Sequence, residues 1–282
     1  HLLMDFHKLL KEERQKFRNA LKNDPPPILK PSSDEVLKEE PIPEAHDMVE
    51  IEPLPTIKDM KEFILTEYSN IFLIPFYVGI QTEINLFTAL KNTDVKWKIL
   101  SGRQSIVLGT VPRSGMVRND DGYRNSLIPR WLNEFIDHLV QIQVFDIDCR
   151  PNNILINKYN PTEGILHHTD GPSYHDKVAV LSLGSDCIMS FRHKLNSDDI
   201  SGLNSVTDVF SVILPSRSLF CFSNDVYTKF MHGIIAEPTA RQVVGDYGSC
   251  LNADILNIKE TDSIIRGDRI SITFRKVKAE YE

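Results

Sequence analysis

Cysteine is scarce: the 282-residue chain holds four, at Cys149, Cys187, Cys221 and Cys250. They are scattered, with no CxxC pair, which excludes a cysteine zinc site. A chain of this length needs no disulfide scaffold. Reduced thiols, in cytoplasm or nucleus, are therefore the expectation. Long apolar runs are also missing. Nothing approaches the roughly 20 consecutive apolar residues of a membrane-spanning helix. The opening stretch, His1 to Lys11, is broken by Asp5, His7 and Lys8, unlike the apolar core of a signal peptide. Nor is there an excess of positive charge. The formal net charge is −7, which excludes a polycation built for indiscriminate grip on nucleic acid but permits a local basic groove. What remains, 41% hydrophobic and 25% charged residues, is the balance of a globular protein with a sizeable core. A monomer is expected.

The composition changes along the chain. Leu2, Leu3, Phe6, Leu9, Leu10, Phe17 and Leu21 recur near helical spacing, which predicts an amphipathic helix within residues 1–23. Residues 24–55 hold eight of the 16 prolines among acidic residues, the texture of a linker or a loosely draped segment. The main domain is then expected over 56–282. Within it, Ile71 to Tyr77 reads as a buried strand, and Leu132, Phe135, Ile136, Leu139 and Val140 mark one face of a helix opened by Pro129. Beyond Asn152 short strands follow closely, at 154–159, 178–183, 188–191, 209–214, 218–222 and 269–277. Helices followed by closely spaced short strands predict an α+β domain around an antiparallel sandwich or barrel.

Chemistry concentrates in three places. His168 and Asp170 stand two residues apart in a stretch that reads as extended, so their side chains point the same way. With a distant histidine they would form the two-histidine, one-carboxylate set of non-haem Fe(II). His167 competes with His168, but only His168 has the two-residue spacing to the aspartate. His232, between apolar residues and beside Gly233, is the candidate third ligand; His175 and His193 are rivals in polar stretches. The terminal strand alternates Ile270, Ile272 and Phe274 with Arg269, Ser271, Thr273 and Arg275. Its polar face is either the solvated side of an edge strand or the wall of a polar cavity. In a cavity, the arginine forks suit a dicarboxylate. Asn157 and Tyr159, also two residues apart, present hydrogen-bonding groups on one face of another strand.

In this order the set Asn157-x-Tyr159, His168-x-Asp170, His232 and Arg269-x5-Arg275 resembles the AlkB-like branch of the Fe(II)- and 2-oxoglutarate-dependent dioxygenases. The segments Trp97-Lys98, Leu100 to Arg103, Gly115-Met116-Val117, His168 to Pro172, Leu181 to Ser185 and His232-Gly233-Ile234 are most similar to its alkB homolog 6 branch. The likeness covers about residues 70–278 and leaves the N-terminal extension outside it. It implies a double-stranded β-helix (jelly-roll) core flanked by helices, with the site within 153–277. His168, Asp170 and His232 would bind Fe(II). Asn157, Tyr159, Arg269, Ser271 and Arg275 would hold 2-oxoglutarate. Ser271 departs from the family's usual asparagine. The stretch between His232 and Arg269 is longer than in the bacterial prototype, so residues 236–265 read as an insert near the site mouth, by default a passive loop.

The resemblance further implies that O2 and 2-oxoglutarate are consumed, with release of succinate and CO2, as a substrate C–H bond is oxidised; an oxidised N-methyl group then leaves as formaldehyde. Three readings of the target stand open. The first is alkylated nucleobases in DNA or RNA, with Lys96, Lys98, Arg103, Arg113, Arg118, Arg124 and Arg130 as candidate rim contacts and Trp97, Tyr123 or Tyr174 as stacking platforms. Trp97 serves equally well as core. The second is a protein or small molecule. The third is an interaction protein with a regulatory iron site that recruits a protein partner through residues 1–55.

Overall fold

The computed structural model describes residues 49–65, 70–91, 97–113, 127–194 and 209–282. The helix expected in residues 1–23, and the linker up to residue 48, lie outside the described residues. In chain order the strands and α-helices are β1 (Ile71–Ile74), α1 (Ile80–Lys91), β2 (Lys98–Leu100), β3 (Arg103–Gly109), α2 (Arg130–Gln141), β4 (Asn153–Tyr159), β5 (Ile165–His168), β6 (Lys177–Leu183) and β7 (Cys187–His193). There follow β8 (Phe210–Leu214), β9 (Leu219–Ser223), α3 (Asn224–Lys229), β10 (Phe230–Ile234), β11 (Arg241–Val243), β12 (Ser249–Cys250), β13 (Ser263–Ile265) and β14 (Arg269–Arg275). No helix among the described residues is long and apolar enough to cross a membrane.

Two sheets face each other. The larger has the order β1-β9-β6-β14-β4-β3-β2 and the smaller β12-β8-β7-β10-β5. Consecutive strands 6, 7, 8 and 9 lie in the larger, smaller, smaller and larger sheet, so the chain winds between the layers as a jelly roll does. This is the expected double-stranded β-helix, and its strands cover the six predicted ones with ends shifted by a residue or two.

Alternation along each strand sorts the residues into three layers. Outward side chains of the larger sheet (Ile154, Ile156, Ala179, Leu181, Leu219, Ile270, Ile272 and Phe274) pack under α1 and α2. On α2, Leu132, Phe135, Ile136 and Leu139 are fully buried, at the i, i+3, i+4, i+7 spacing of an amphipathic helix. Residues 49–57 drape over these helices. Val49, Ile51 and Leu54 pack on the core, Glu52 bonds Thr82, and the Pro55 carbonyl meets His138 Nε2 at 3.1 Å. Docking thus begins a few residues before the boundary expected at 56.

Between the sheets the filling differs from end to end. Under β1, β9 and β6 it is apolar: Leu73, Val180, Phe191, Phe210, Phe220 and Phe222, among others. Under β14 and β4 it is polar, and there the site lies.

The third layer corrects a sequence reading. Residues 236–265 are neither passive nor a loop at the site mouth; they cover the outer face of the smaller sheet. Val244, Tyr247, Leu256 and Ile264 pack on Ile188 and Ile213. Two buried amides fasten them. Gln242 bonds both the N–H and the carbonyl of Ile188, and Asn252 does the same for Ile213. Each side chain supplies the hydrogen bonds a neighbouring strand would otherwise provide. Irregular backbone with apolar residues at no fixed period gives no sequence signal for such a cap.

One buried carboxylate joins helix to turns. Glu83 of α1 accepts from the Gly184 N–H at 2.8 Å, from Ser216 Oγ, and lies 3.5 Å from Arg217 Nε. It ties the β6–β7 turn to the β8–β9 turn. Gly184 is obligatory there: its φ is +87°, and a Cβ would stand 2.6 Å from the Asp268 carbonyl. Removing one partner of a buried, hydrogen-bonded ion pair costs about 3–5 kcal/mol. Glu83→Ala should lower the unfolding free energy by about that much in urea denaturation; a loss under about 1 kcal/mol would show that this junction does not hold the turns.

Candidate metal centre

The centre begins with strand alternation on β5 and β10. His168 and His232 are directly paired across these antiparallel strands, so both rings project from the same face, with centroids 4.6 Å apart. Gly233 permits the approach: a Cβ there would lie 2.9 Å from both the His167 N and the Ile165 carbonyl. Asp170, two residues beyond His168, completes the group, and the three ligand atoms all lie within 4.8 Å of one another. The rivals are elsewhere. His167 points to the opposite face and bonds Ser190 Oγ at 2.8 Å, His175 stands by Cys149, and His193 stacks on Phe230.

Local contacts prepare each ligand. His168 Nδ1 donates to the Leu166 carbonyl at 2.8 Å, because a carbonyl can only accept, and this leaves Nε2 with its lone pair free. Burial pushes the His232 pKa down to about 4, with the charges of His168 and Arg275 adding to it and Asp170 opposing. It is therefore a neutral ligand at physiological pH. For Asp170, burial favours the protonated acid, but Arg275 and the two histidines outweigh it and hold the carboxyl below its ordinary value. Arg275 Nη1 donates to Asp170 Oδ1 at 2.9 Å, while its Nε and Nη2 both reach Asn153 Oδ1. The guanidinium lies 4.1 Å from the centre of the Tyr174 ring. Arg275, expected at 2-oxoglutarate, thus pairs with Asp170, one of the three candidate metal ligands.

Facing the triad is the polar wall expected from β14. It is a central strand between β6 and β4, so its arginines are buried rather than solvated: Arg269 is 1% exposed and Arg275 6%. Cross-strand pairing sets Arg269 beside Tyr159, Ser271 beside Asn157 and Arg275 beside Asn153. Asn157 accepts from Arg103 Nε at 3.2 Å, and Arg269 Nη2 donates to Ser182 Oγ at 2.9 Å. The Arg269 guanidinium also lies 5.6 Å from the Tyr159 ring centre.

Sequence reading missed Asn153, although it lies on the same β4 face as Asn157 and Tyr159, and the same period-two rule could have found it. It placed Arg103 on a substrate rim, whereas Arg103 turns inward to Asn157. Trp97 packs on the helix-side core with Lys158 over its ring. Lys96, Arg118, Tyr123 and Arg124 lie outside the described residues.

The donor set fits Fe(II) and a dicarboxylate. Asp170 Oδ2, Arg269 Nε and Arg269 Nη1 are buried polar atoms without a hydrogen-bond partner. Such groups are costly unless answered. A cation beside the first and a carboxylate beside the other two would answer all three.

A pH dependence follows from His232. Its folded pKa of about 4 lies below the ordinary 6.5, so between these values the unfolded chain binds more protons. The stability of the metal-free protein is then fully present above about pH 6.5 and is lost as pH falls toward 4, by about 3 kcal/mol from this group. Urea denaturation at pH 7, 5.5 and 4 should show this decline, and His232→Asn should flatten it; an equal slope in the variant would contradict the assignment.

Comparison with known proteins agrees with this geometry. The 2OG-Fe(II) oxygenase superfamily matches residues 102–275. The Danio rerio protein named "Probable RNA/DNA demethylase ALKBH6" is 27% identical over 227 residues, covering 77% of this chain and 90% of that protein. Protein L905 of Acanthamoeba polyphaga mimivirus is 31% identical over 169 residues, 56% of this chain and 68% of its own length. The Xenopus tropicalis tRNA (carboxymethyluridine(34)-5-O)-methyltransferase alkbh8 is 30% identical over 158 residues, and there the match spans 22% of the longer protein. Among solved structures, OsALKBH1 aligns with a TM-score of 0.46 at 16% identity, over 73% of this chain and 98% of that one. Matched over more than half its length, the chain belongs to the 2OG-Fe(II) oxygenase superfamily and is a non-haem dioxygenase that uses Fe(II), 2-oxoglutarate and O2.

Proposed function

We propose that this dioxygenase belongs to the alkB homolog 6 branch and removes alkyl groups oxidatively from nucleobases of RNA or DNA, in the cytoplasm or nucleus. The observation that carries the reading is a polar inter-sheet region with a clustered two-histidine, one-carboxylate set on the smaller sheet's side and unanswered arginine donors on the larger sheet's β14. The name carried by the Danio rerio relative supports the substrate class. So does Leu166, on the same β5 face as His168 and 89% exposed. It offers apolar surface beside the centre, suited to a flat ring lifted out of its stack.

Within this reading His168, Asp170 and His232 hold Fe(II). Arg269 and Tyr159 take the distal carboxylate of 2-oxoglutarate, and Asn157, Ser271 and Arg275 line the path back toward the metal. Bound iron supplies the site at which O2 is reduced while 2-oxoglutarate becomes succinate and CO2. The chain does the rest. Arg275 keeps Asp170 ionised and oriented. The phenylalanines under β9 and β6 wall the site on its apolar side and exclude water there. The arginine fork aligns the cosubstrate, so that its keto end is presented to the triad.

Succinate release should be measured on Fe(II)-loaded protein with a panel of methylated single-stranded and duplex oligonucleotides. Stimulation by one of them, with formaldehyde produced alongside, is the expected result. Iron-dependent turnover with no stimulation by any would overturn the nucleobase reading and turn the search to proteins or small molecules. His168→Ala and Asp170→Ala should each abolish turnover; normal turnover by either would refute the ligand assignment. Arg269→Ala should raise the apparent KM for 2-oxoglutarate by roughly 10–100-fold, the worth of a charge-assisted pair, and leave the iron requirement unchanged. An unchanged KM would place the clamp elsewhere.

A further inference from the structure

Three residues before Arg269, the chain leaves the outer cap and turns back toward the larger sheet, and there it buries a second guanidinium. Arg266 is 4% exposed. Its backbone N–H bonds the Ala240 carbonyl, and the following Gly267 N–H bonds Ser185 Oγ at 2.7 Å, so both flanks of the residue are fixed. The side chain makes one long contact, from Nη1 to the Ile235 carbonyl at 3.4 Å, and Nη2 is buried without a partner. Arg266 lies within electrostatic reach of Cys187, Arg269 and Tyr159, at the end of the inter-sheet space away from Asp170 and Arg275, and of Tyr247 in the outer cap.

Two buried cations so placed repel one another, and each also bears the cost of leaving water. Burial, and then the charge of Arg269, pull the Arg266 guanidinium below its ordinary value. Among the described residues neither arginine forms an ion pair with a carboxylate; their hydrogen-bond partners are the Ile235 carbonyl and the Ser182 hydroxyl. Three N–H-bearing atoms, Arg269 Nε, Arg269 Nη1 and Arg266 Nη2, are thus buried without a hydrogen-bond partner, on two guanidiniums within electrostatic reach of each other. The missing complement is an anion with more than one oxygen.

We infer that Arg266 is a second clamp residue, which joins Arg269 in binding the distal carboxylate of 2-oxoglutarate. This rests on the proposed cosubstrate orientation. It assigns the 236–266 segment a part in the site after all, not as a loop at the mouth but as the scaffold that delivers an arginine to the closed end. Two buried guanidiniums, neither ion-paired with a carboxylate among the described residues, would discriminate sharply for a dicarboxylate over a 2-oxo acid that lacks the far carboxylate, because such a ligand leaves the buried donors unanswered.

The test is a binding comparison on Mn(II)-loaded protein under anaerobic conditions, by calorimetry. The ligands are 2-oxoglutarate and 2-oxobutyrate, which has the same chelating end without the distal carboxylate. Arg266→Met should weaken 2-oxoglutarate binding about 10–100-fold and change 2-oxobutyrate binding less than about twofold. Arg266→Lys, which keeps the charge and loses the fork, should fall between wild type and Arg266→Met; it answers the question alone if the methionine variant does not fold. Equal losses for both ligands, or no loss for either, would overturn the inference and leave Arg266 a structural residue. If the wild-type protein binds Mn(II) but not 2-oxoglutarate, the underlying reading fails first and the inference with it.

Discussion

The structure depends on burying positive charge in the middle of a sheet. β14 is hydrogen-bonded on both sides, and its two arginines are almost wholly withdrawn from water. A lone buried guanidinium costs several kcal/mol, so the rest of the cavity is arranged in reply. Arg275 is answered by Asp170 and Asn153 from within the chain. Arg269 is only partly answered, by Ser182. That asymmetry gives the site its direction: the satisfied arginine stands beside the His168, Asp170 and His232 cluster, and the unsatisfied one lies at the other end of β14.

The same strand also holds the fold together. Its other face carries Ile270, Ile272 and Phe274, which seat α1 and α2 on the larger sheet. Strand alternation therefore couples folding to function in one segment. The apolar half of the inter-sheet space fixes the spacing of the two sheets, and with it the distance from the β5–β10 histidines to the β14–β4 wall. The outer cap adds a third layer. Gln242 and Asn252 replace missing strand neighbours, and the chain then leads through Arg266 into β14.

Much of this was legible in the sequence, because period-two alternation is a local property. The HxD pair, the six main strands and the arginine face follow from it, and the family likeness adds the third ligand. Other parts were not legible. α1 buries Thr82 and Glu83 along with its apolar residues, which blurs its helical stripe. β2 and β3 are short or polar, with Arg103 and Gln104 leading into Ser105. Whether Arg103 faced a rim or the cavity was a matter of sheet order, which no local pattern encodes. Arg266 had no period at all; only the three-dimensional juxtaposition with Arg269 makes it conspicuous.

The central claim is that one cavity binds Fe(II) at His168, Asp170 and His232 and a 2-oxo dicarboxylate at Arg269. Anaerobic absorption spectroscopy tests it most directly, because a 2-oxo acid chelated to Fe(II) produces a metal-to-ligand charge-transfer band that neither component shows alone. Titrating 2-oxoglutarate into Fe(II)-loaded protein should raise this band to saturation at one equivalent, with Asp170→Ala giving none. Absence of the band in the wild-type protein, or an undiminished band in Asp170→Ala, would contradict the account.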